Sequence, residues 1–261
     1  MISDRAVFHA ARLVAPWMVL ARRRLPSGGF VSFTFDDFPS SAALAGASVL
    51  ESFGVRATFY ASMSLTRPDD VVRIVERGHE LGCHTYSHLD CYGATDTELE
   101  ADLDVNAAAI VRVLGDDAAG ALRHFAYPFG RLRHRQRPML ARRFVTQRSI
   151  FPGGHRREVD LGLVRANRLY ASARLLWRAR RLVDQVARHG GWVVFFTHDV
   201  SEHPTRFGAR PRDLAALVER ALRAGLTVAS VGAVAELTSP IVDAERRSHS
   251  CAIAKEVGHA R

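Results

Sequence analysis

Strand-like and helix-like stretches alternate along almost all of this sequence, and that alternation limits the available folds more than any other feature. Apolar, β-branched or aromatic runs at 31–35, 56–61, 80–84, 123–127, 144–150, 192–197 and 227–230 read as strands. Helical periodicity marks 42–53, 68–77, 95–114, 134–143, 173–189, 210–224 and 231–237, with Gly54 and Gly78 as stops for the first two. The 95–114 stretch opens on a capping box, Thr95-Asp96-Thr97-Glu98. Such a pattern implies parallel strands joined by crossover helices, as a barrel or a doubly wound sheet. No glycine-rich phosphate loop follows the first strand, so an α/β barrel of seven or eight strands is expected.

With 261 residues, 48% of them apolar, the chain can bury a full core. No Gly/Ser/Pro-rich linker, fixed-period repeat or low-complexity segment divides it, so one domain is expected over 30–238. A basic amphipathic segment, 1–29, precedes that domain and a polar tail, 239–261, follows it. Within the first segment, 13–21 is apolar but too short to span a bilayer, contains Pro16, and runs into Arg22-Arg23-Arg24 rather than a cleavage site. It reads as a docking helix or as a basic helix lying on a membrane surface. The three cysteines, Cys83, Cys91 and Cys251, form no even framework and suggest a reducing compartment. A cytoplasmic protein is therefore expected, with peripheral contact at the inner face of the membrane as the secondary expectation.

The net charge of +9 is almost wholly arginine, since Lys255 is the only lysine. From Arg123 to Arg188 there are seventeen arginines against Glu158, Asp160 and Asp184. That excess is either a solvated basic face or a surface for a phosphate-bearing or acidic partner. Nucleic acid is not the expected partner.

Chemistry concentrates at strand ends. The run Val31-Ser32-Phe33-Thr34-Phe35 ends in Asp36-Asp37, and His84-Thr85-Tyr86-Ser87-His88 follows the strand at 80–84. Adjacent carboxylates repel and are costly to desolvate, so an apolar strand ending in two of them calls for a cation. Asp37, His84 and His88 form a two-imidazole, one-carboxylate set suited to a catalytic zinc-like ion with open positions. Cys83 should turn away from His84 into the core, which argues against a Cys/His knuckle. Asp36 is left as a general base for water acidified by the ion, and His198, at the end of the buried run 192–197, as the acid for the leaving group.

These residues resemble the NodB-homology polysaccharide deacetylases, a carbohydrate esterase group. Thr34-Phe35-Asp36-Asp37 matches the family's first motif and His84-Thr85-Tyr86-Ser87-His88 its second. Tyr127-Pro128-Phe129-Gly130 resembles the third and Phe196-Thr197-His198-Asp199 the last. The resemblance implies a distorted (β/α)7 barrel and removal of N-acetyl groups from an N-acetylglucosamine-containing oligo- or polysaccharide. It also implies a divalent metal, Zn2+ before Co2+ or Ni2+, held by Asp37, His84 and His88. Asp36 would be the base, His198 the acid, and the backbone N–H of Phe129 a donor to the oxyanion, with Tyr127 and Arg131 beside the substrate. An O-acetyl esterase, a small-molecule amidase and a catalytically inactive glycan-binding barrel are the alternatives. Two departures stand out. Ala126 replaces the arginine that many relatives place beside the base, with Arg131 or Arg165 as candidate substitutes, and Phe38 replaces the glycine after the aspartate pair. No counterpart of the motif that orients the acid histidine is evident; Asp160 is a poor match.

Overall fold

The structure, a computed structural model, describes residues 21–120 and 122–241. The expected membrane-facing or docking helix, and most of the polar tail, lie outside the described residues. After a short strand β1 (Arg22–Arg24), the chain lays down β2 (Gly29–Asp36), β3 (Thr58–Ala61), β4 (Glu80–Cys83), β5 (His124–Ala126) and β6 (Thr146–Arg148). Then come β7 (Glu158–Asp160), β8 (Asn167–Arg168), β9 (Gly191–Thr197), β10 (Thr227–Val228) and β11 (Ser239–Pro240). Seven strands run in the order β6-β5-β4-β3-β2-β9-β8, every neighbour parallel. β10 pairs with the first half of β2, at Phe30 and Val31, while β3 pairs with its last residues, Thr34 to Asp36. A parallel bridge from Arg148 to Val164 curls the far edge toward closure, giving the barrel expected from the alternation, in the distorted seven-stranded form that the resemblance implies. β11, β1 and β7 form a separate small antiparallel sheet.

The helices fall where periodicity placed them, including Asp96–Leu114, with Thr95 and Glu98 making both bonds of the capping box, and Ala173–His189. β8 had no signal in the sequence: two residues, one of them an exposed arginine, carry no readable alternation. No helix among the described residues is long and apolar enough to cross a membrane.

The alternation in β2 sorts its side chains between two buried faces, as parallel sheets require. Val31, Phe33 and Phe35 pack with the helix layer, where Phe33 stacks on Phe195 and Phe35 on Phe59. Ser32, Thr34 and Asp36 take the other face, turned into the barrel, and are as buried as the phenylalanines. Their polar groups are satisfied locally: Ser32 accepts from the Trp192 indole at 3.0 Å and Thr34 donates to the Phe195 carbonyl at 3.0 Å. Inside the barrel the Tyr60 ring fills the space over Gly82, where an added Cβ would stand 2.4 Å from the ring. Because Tyr60 is fully buried, that ring has little room to retreat. Gly82→Ala is expected to destabilise the fold by about 1–3 kcal/mol through overpacking. Urea unfolding at neutral pH would measure it as a lower midpoint at unchanged slope.

Candidate active site

The residues expected at the site leave the barrel strands at one end. Asp36 closes β2, His84 follows β4, Pro128-Phe129-Gly130 follows β5 and His198 follows β9. Strict alternation would send Asp37 to the helix layer, opposite Asp36. Its left-handed φ of 44° breaks the alternation and turns the carboxylate back toward the barrel mouth. His88, at φ 56°, makes the corresponding turn at the end of the second motif. The other two non-glycine residues with positive φ among those described are Thr85 and Phe129, at 63° and 56°. All four belong to the site. Left-handed backbone at such residues costs on the order of 1–3 kcal/mol each and persists where the surroundings enforce it.

Those surroundings are visible for the histidine loop. Asp102, from the helix Asp96–Leu114, accepts hydrogen bonds from the backbone N–H groups of Tyr86 and Ser87 and from the Ser87 hydroxyl. The Thr85 hydroxyl accepts from the Leu89 N–H at 2.8 Å. Nδ1 of His84 lies 2.7 Å from the Ala126 carbonyl and donates to it, which leaves Nε2 as a lone-pair donor. Asp37 Oδ2 stands 3.1 Å from His88 Nε2 and 3.9 Å from His84 Nε2. One ligand atom from each of the three falls within 4.8 Å of the others. Burial, and then the neighbouring His84, hold the His88 imidazole below its usual pKa, which favours its neutral, donor form. Asp37 Oδ1 is buried without a hydrogen-bond partner among the described residues. A buried Asp37 Oδ1 without a partner, with Oδ2 beside the Nε2 atoms of His84 and His88, fits a divalent cation held by Asp37, His84 and His88.

Asp36 lies deeper, 3% exposed, and Arg148 donates to its Oδ1 at 2.5 Å. Arg148 is itself fully buried, its guanidinium 5.0 Å from the Tyr60 ring centroid and 5.2 Å from that of Phe196. Burial pushes the Asp36 pKa up, but Arg148, with His84 and His198, more than offsets it and the net shift is downward. The cation missing at position 126 is thus supplied from the end of the next strand over. Neither expected substitute fills that place: Arg131 pairs with Asp90 at 2.7 Å beneath the exposed Tyr92 ring, and Arg165 lies against Gly153.

The remaining expected residues separate. Phe129 is 56% exposed, its ring edge-on to His88 at 4.3 Å, so it stands at the rim. Gly130 holds this turn against Ile150, where an added Cβ would come within 2.0 Å. Tyr127 does not reach the rim: it is 1% exposed and its hydroxyl donates to Gln147 at 2.5 Å, so it packs behind the site. His198 is ringed by Tyr170, Phe196 and Phe207, and its Nδ1 is buried without a partner among the described residues. That orphaned nitrogen agrees with the missing orienting motif. Asp199 does not serve, because its carboxylate takes hydrogen bonds from the N–H and hydroxyl of Thr205. Asp160 pairs with the buried Arg137 at 2.5 Å instead. Sequence reasoning missed Arg148, Asp102 and Tyr170; only Arg148 had a signal, its place at a strand end.

Known proteins point the same way. The model of the polysaccharide deacetylase family matches residues 24–143. A bifunctional xylanase/deacetylase from Pseudobutyrivibrio xylanivorans is 33% identical over 90 residues, covering 33% of this chain and 15% of that protein. A chitin deacetylase from Colletotrichum lindemuthianum is 33% identical over 87 residues, covering 27% of this chain and 35% of that protein. The similarity thus spans well under half of either curated relative. Among solved structures, the Xyl-CE4 domain of a multidomain xylanase from the hindgut metagenome of Trinervitermes trinervoides superposes with a TM-score of 0.57 at 17% identity, covering 80% of this chain and 91% of that one.

Removing the Arg148 charge tests this arrangement. A depressed Asp36 pKa stabilises the fold above the unfolded carboxyl's pKa and loses that contribution as pH falls through the folded value. Arg148→Met leaves the ionised carboxylate buried without its partner. It should cost about 3–5 kcal/mol at pH 7, and clearly less in acid where Asp36 is protonated. Urea unfolding of both proteins across that pH range measures the difference.

Proposed function

We propose that this chain, whose residues 24–143 match the polysaccharide deacetylase family model, hydrolyses N-acetyl groups on an N-acetylglucosamine-containing oligo- or polysaccharide. The observation that carries this reading is the meeting of two differently prepared carboxylates at one barrel mouth. Asp36 is ionised and held by Arg148, while Asp37 shares its oxygen with two imidazoles. The donor set suits Zn2+, which when bound supplies a Lewis acid for the acyl oxygen and lowers the pKa of water.

The chain's own groups divide the proton work. Asp36, kept ionised at neutral pH, accepts the proton of the attacking water as it adds to the acyl carbon. His198 delivers a proton to the departing amine nitrogen, from a ring fixed by the aromatic cage around it. The Phe129 N–H, presented by the left-handed turn at the rim, donates to the oxygen that gains negative charge. The exposed Phe129 ring offers an apolar face to the sugar.

Two variants separate binding of the ion from chemistry. His84→Ala should lose the bound metal by elemental analysis. Asp36→Asn should keep the metal while acetate release from N-acetylglucosamine oligomers falls about 10²–10⁴-fold. Turnover of O-acetyl xylan or aryl acetates without acetate from any N-acetyl sugar would move the activity to ester hydrolysis. Full activity in His84→Ala would overturn the site.

A further inference from the structure

A cavity of about 410 Å³ opens beside the candidate active site, within the usual range for small-ligand pockets of about 300–1,000 Å³. Residues 170–172, just after β8, form one wall and 202–206, just after β9, the other, so it opens at the same barrel end as Asp36 and His198. Tyr170 belongs to both places. Its ring centroid lies 6.2 Å from that of His198, and its hydroxyl, raised in pKa by burial, is raised further by the Asp36 carboxylate. A ligand in the cavity would therefore touch the wall of the reaction site.

The charge of this cavity is one-sided. Arg206 and Arg210 line it, with His203 beside them, against Glu202 alone among carboxylates. The Arg206 guanidinium lies 4.5 Å from the Phe207 ring centroid and makes no ion pair among the described residues. Arg210 approaches Asp213 only at 3.7 Å. Asp199, just after β9, is committed to Thr205. The helix Ala173–His189 begins at the cavity edge with no acidic residue in its first turn and no side-chain cap from Ser172, which adds to the same sign of potential. A guanidinium without an ion-pair partner, as at Arg206, favours carboxylate and phosphate oxygens, which it binds through paired N–H donors. Tyr170, together with the exposed Phe207 ring beside the cavity, presents the apolar surface on which the C–H face of a sugar ring packs.

We propose that this cavity receives an anionic sugar unit, one bearing a carboxylate or a phosphate, next in the glycan to the unit that is deacetylated. The substrate is then an acidic N-acetylated glycan rather than a neutral one. This inference rests on the deacetylase reading above and names its substrate class.

The test compares three N-acetylglucosamine oligosaccharides of equal length: neutral, alternating with uronic acid, and phosphate-substituted. Acetate release and calorimetric affinity are measured for each on the wild type, Arg206→Ala, Arg206→Lys and Arg180→Ala, the last an exposed control on the neighbouring helix. The wild type should favour an acidic oligosaccharide by about tenfold, the ratio that one well-placed charge contact supplies. Arg206→Ala should bring that ratio close to one, Arg206→Lys should restore part of it, and Arg180→Ala should keep it. Preference for uronate or for phosphate identifies the source of the charge. Equal handling of neutral and acidic oligosaccharides by the wild type, or an unchanged ratio in Arg206→Ala, overturns the inference and leaves deacetylation standing. If no oligosaccharide yields acetate, deacetylation fails and calorimetry still decides: tighter binding of the acidic chain, lost in Arg206→Ala, upholds the anionic site, and equal binding ends it.

Discussion

Two neighbouring carboxylates at the buried end of β2 set the terms for everything around them. Leaving water is costly for one carboxylate and costlier for two that repel. Each here is compensated by a different device. Asp36 is held by a guanidinium that is itself out of water and packed beside two aromatic rings. Asp37 is turned by a left-handed backbone toward two imidazoles, with one oxygen still lacking a partner. A buried ion pair of the first kind adds little net stability but is expensive to break, so it fixes a protonation state more than it holds the fold. An unfilled oxygen of the second kind fits a cation.

The barrel geometry makes both devices available at once. Parallel strands deliver their last residues to one end, so side chains far apart in sequence converge without long loops. The backbone strain at Asp37, Thr85, His88 and Phe129 sits on that rim, held by Asp102, the Ala126 carbonyl and the packing of Gly130 on Ile150. The helix Asp96–Leu114, begun by its capping box, thus helps aim His88 through Asp102.

Much of this was readable in advance, for physical reasons. Strong buried runs such as 31–35 and 192–197 announce strands, and the polar residues just beyond them stand where a barrel carries its chemistry. That reasoning brought Asp36, Asp37, His84 and His198 to one place. It passed over Arg148, at the end of a strand in the same way, because an arginine within Thr-Gln-Arg reads as solvent-facing and only the buried Asp36 makes its burial tolerable. The substitutes considered, Arg131 and Arg165, have partners or positions of their own. Tyr127 shares a motif with Phe129, but the chain turns at Pro128 and takes a left-handed conformation at Phe129, so the two side chains part and the Tyr127 hydroxyl donates to Gln147 in the core. β8 and the cavity wall at Tyr170 left no trace in the sequence, since two strand residues carry no periodicity.

The central claim is that Arg148 keeps a buried Asp36 ionised. A direct measurement is the carbon-13 NMR titration of the Asp36 side-chain carboxyl in wild type and in Arg148→Met. In the wild type the carboxyl should titrate below the ordinary aspartate range, and in the variant, with burial offset only by the two histidines, above the wild-type value. An Asp36 that titrates in or above the ordinary range in the wild type, or at the same pH in both proteins, would contradict it.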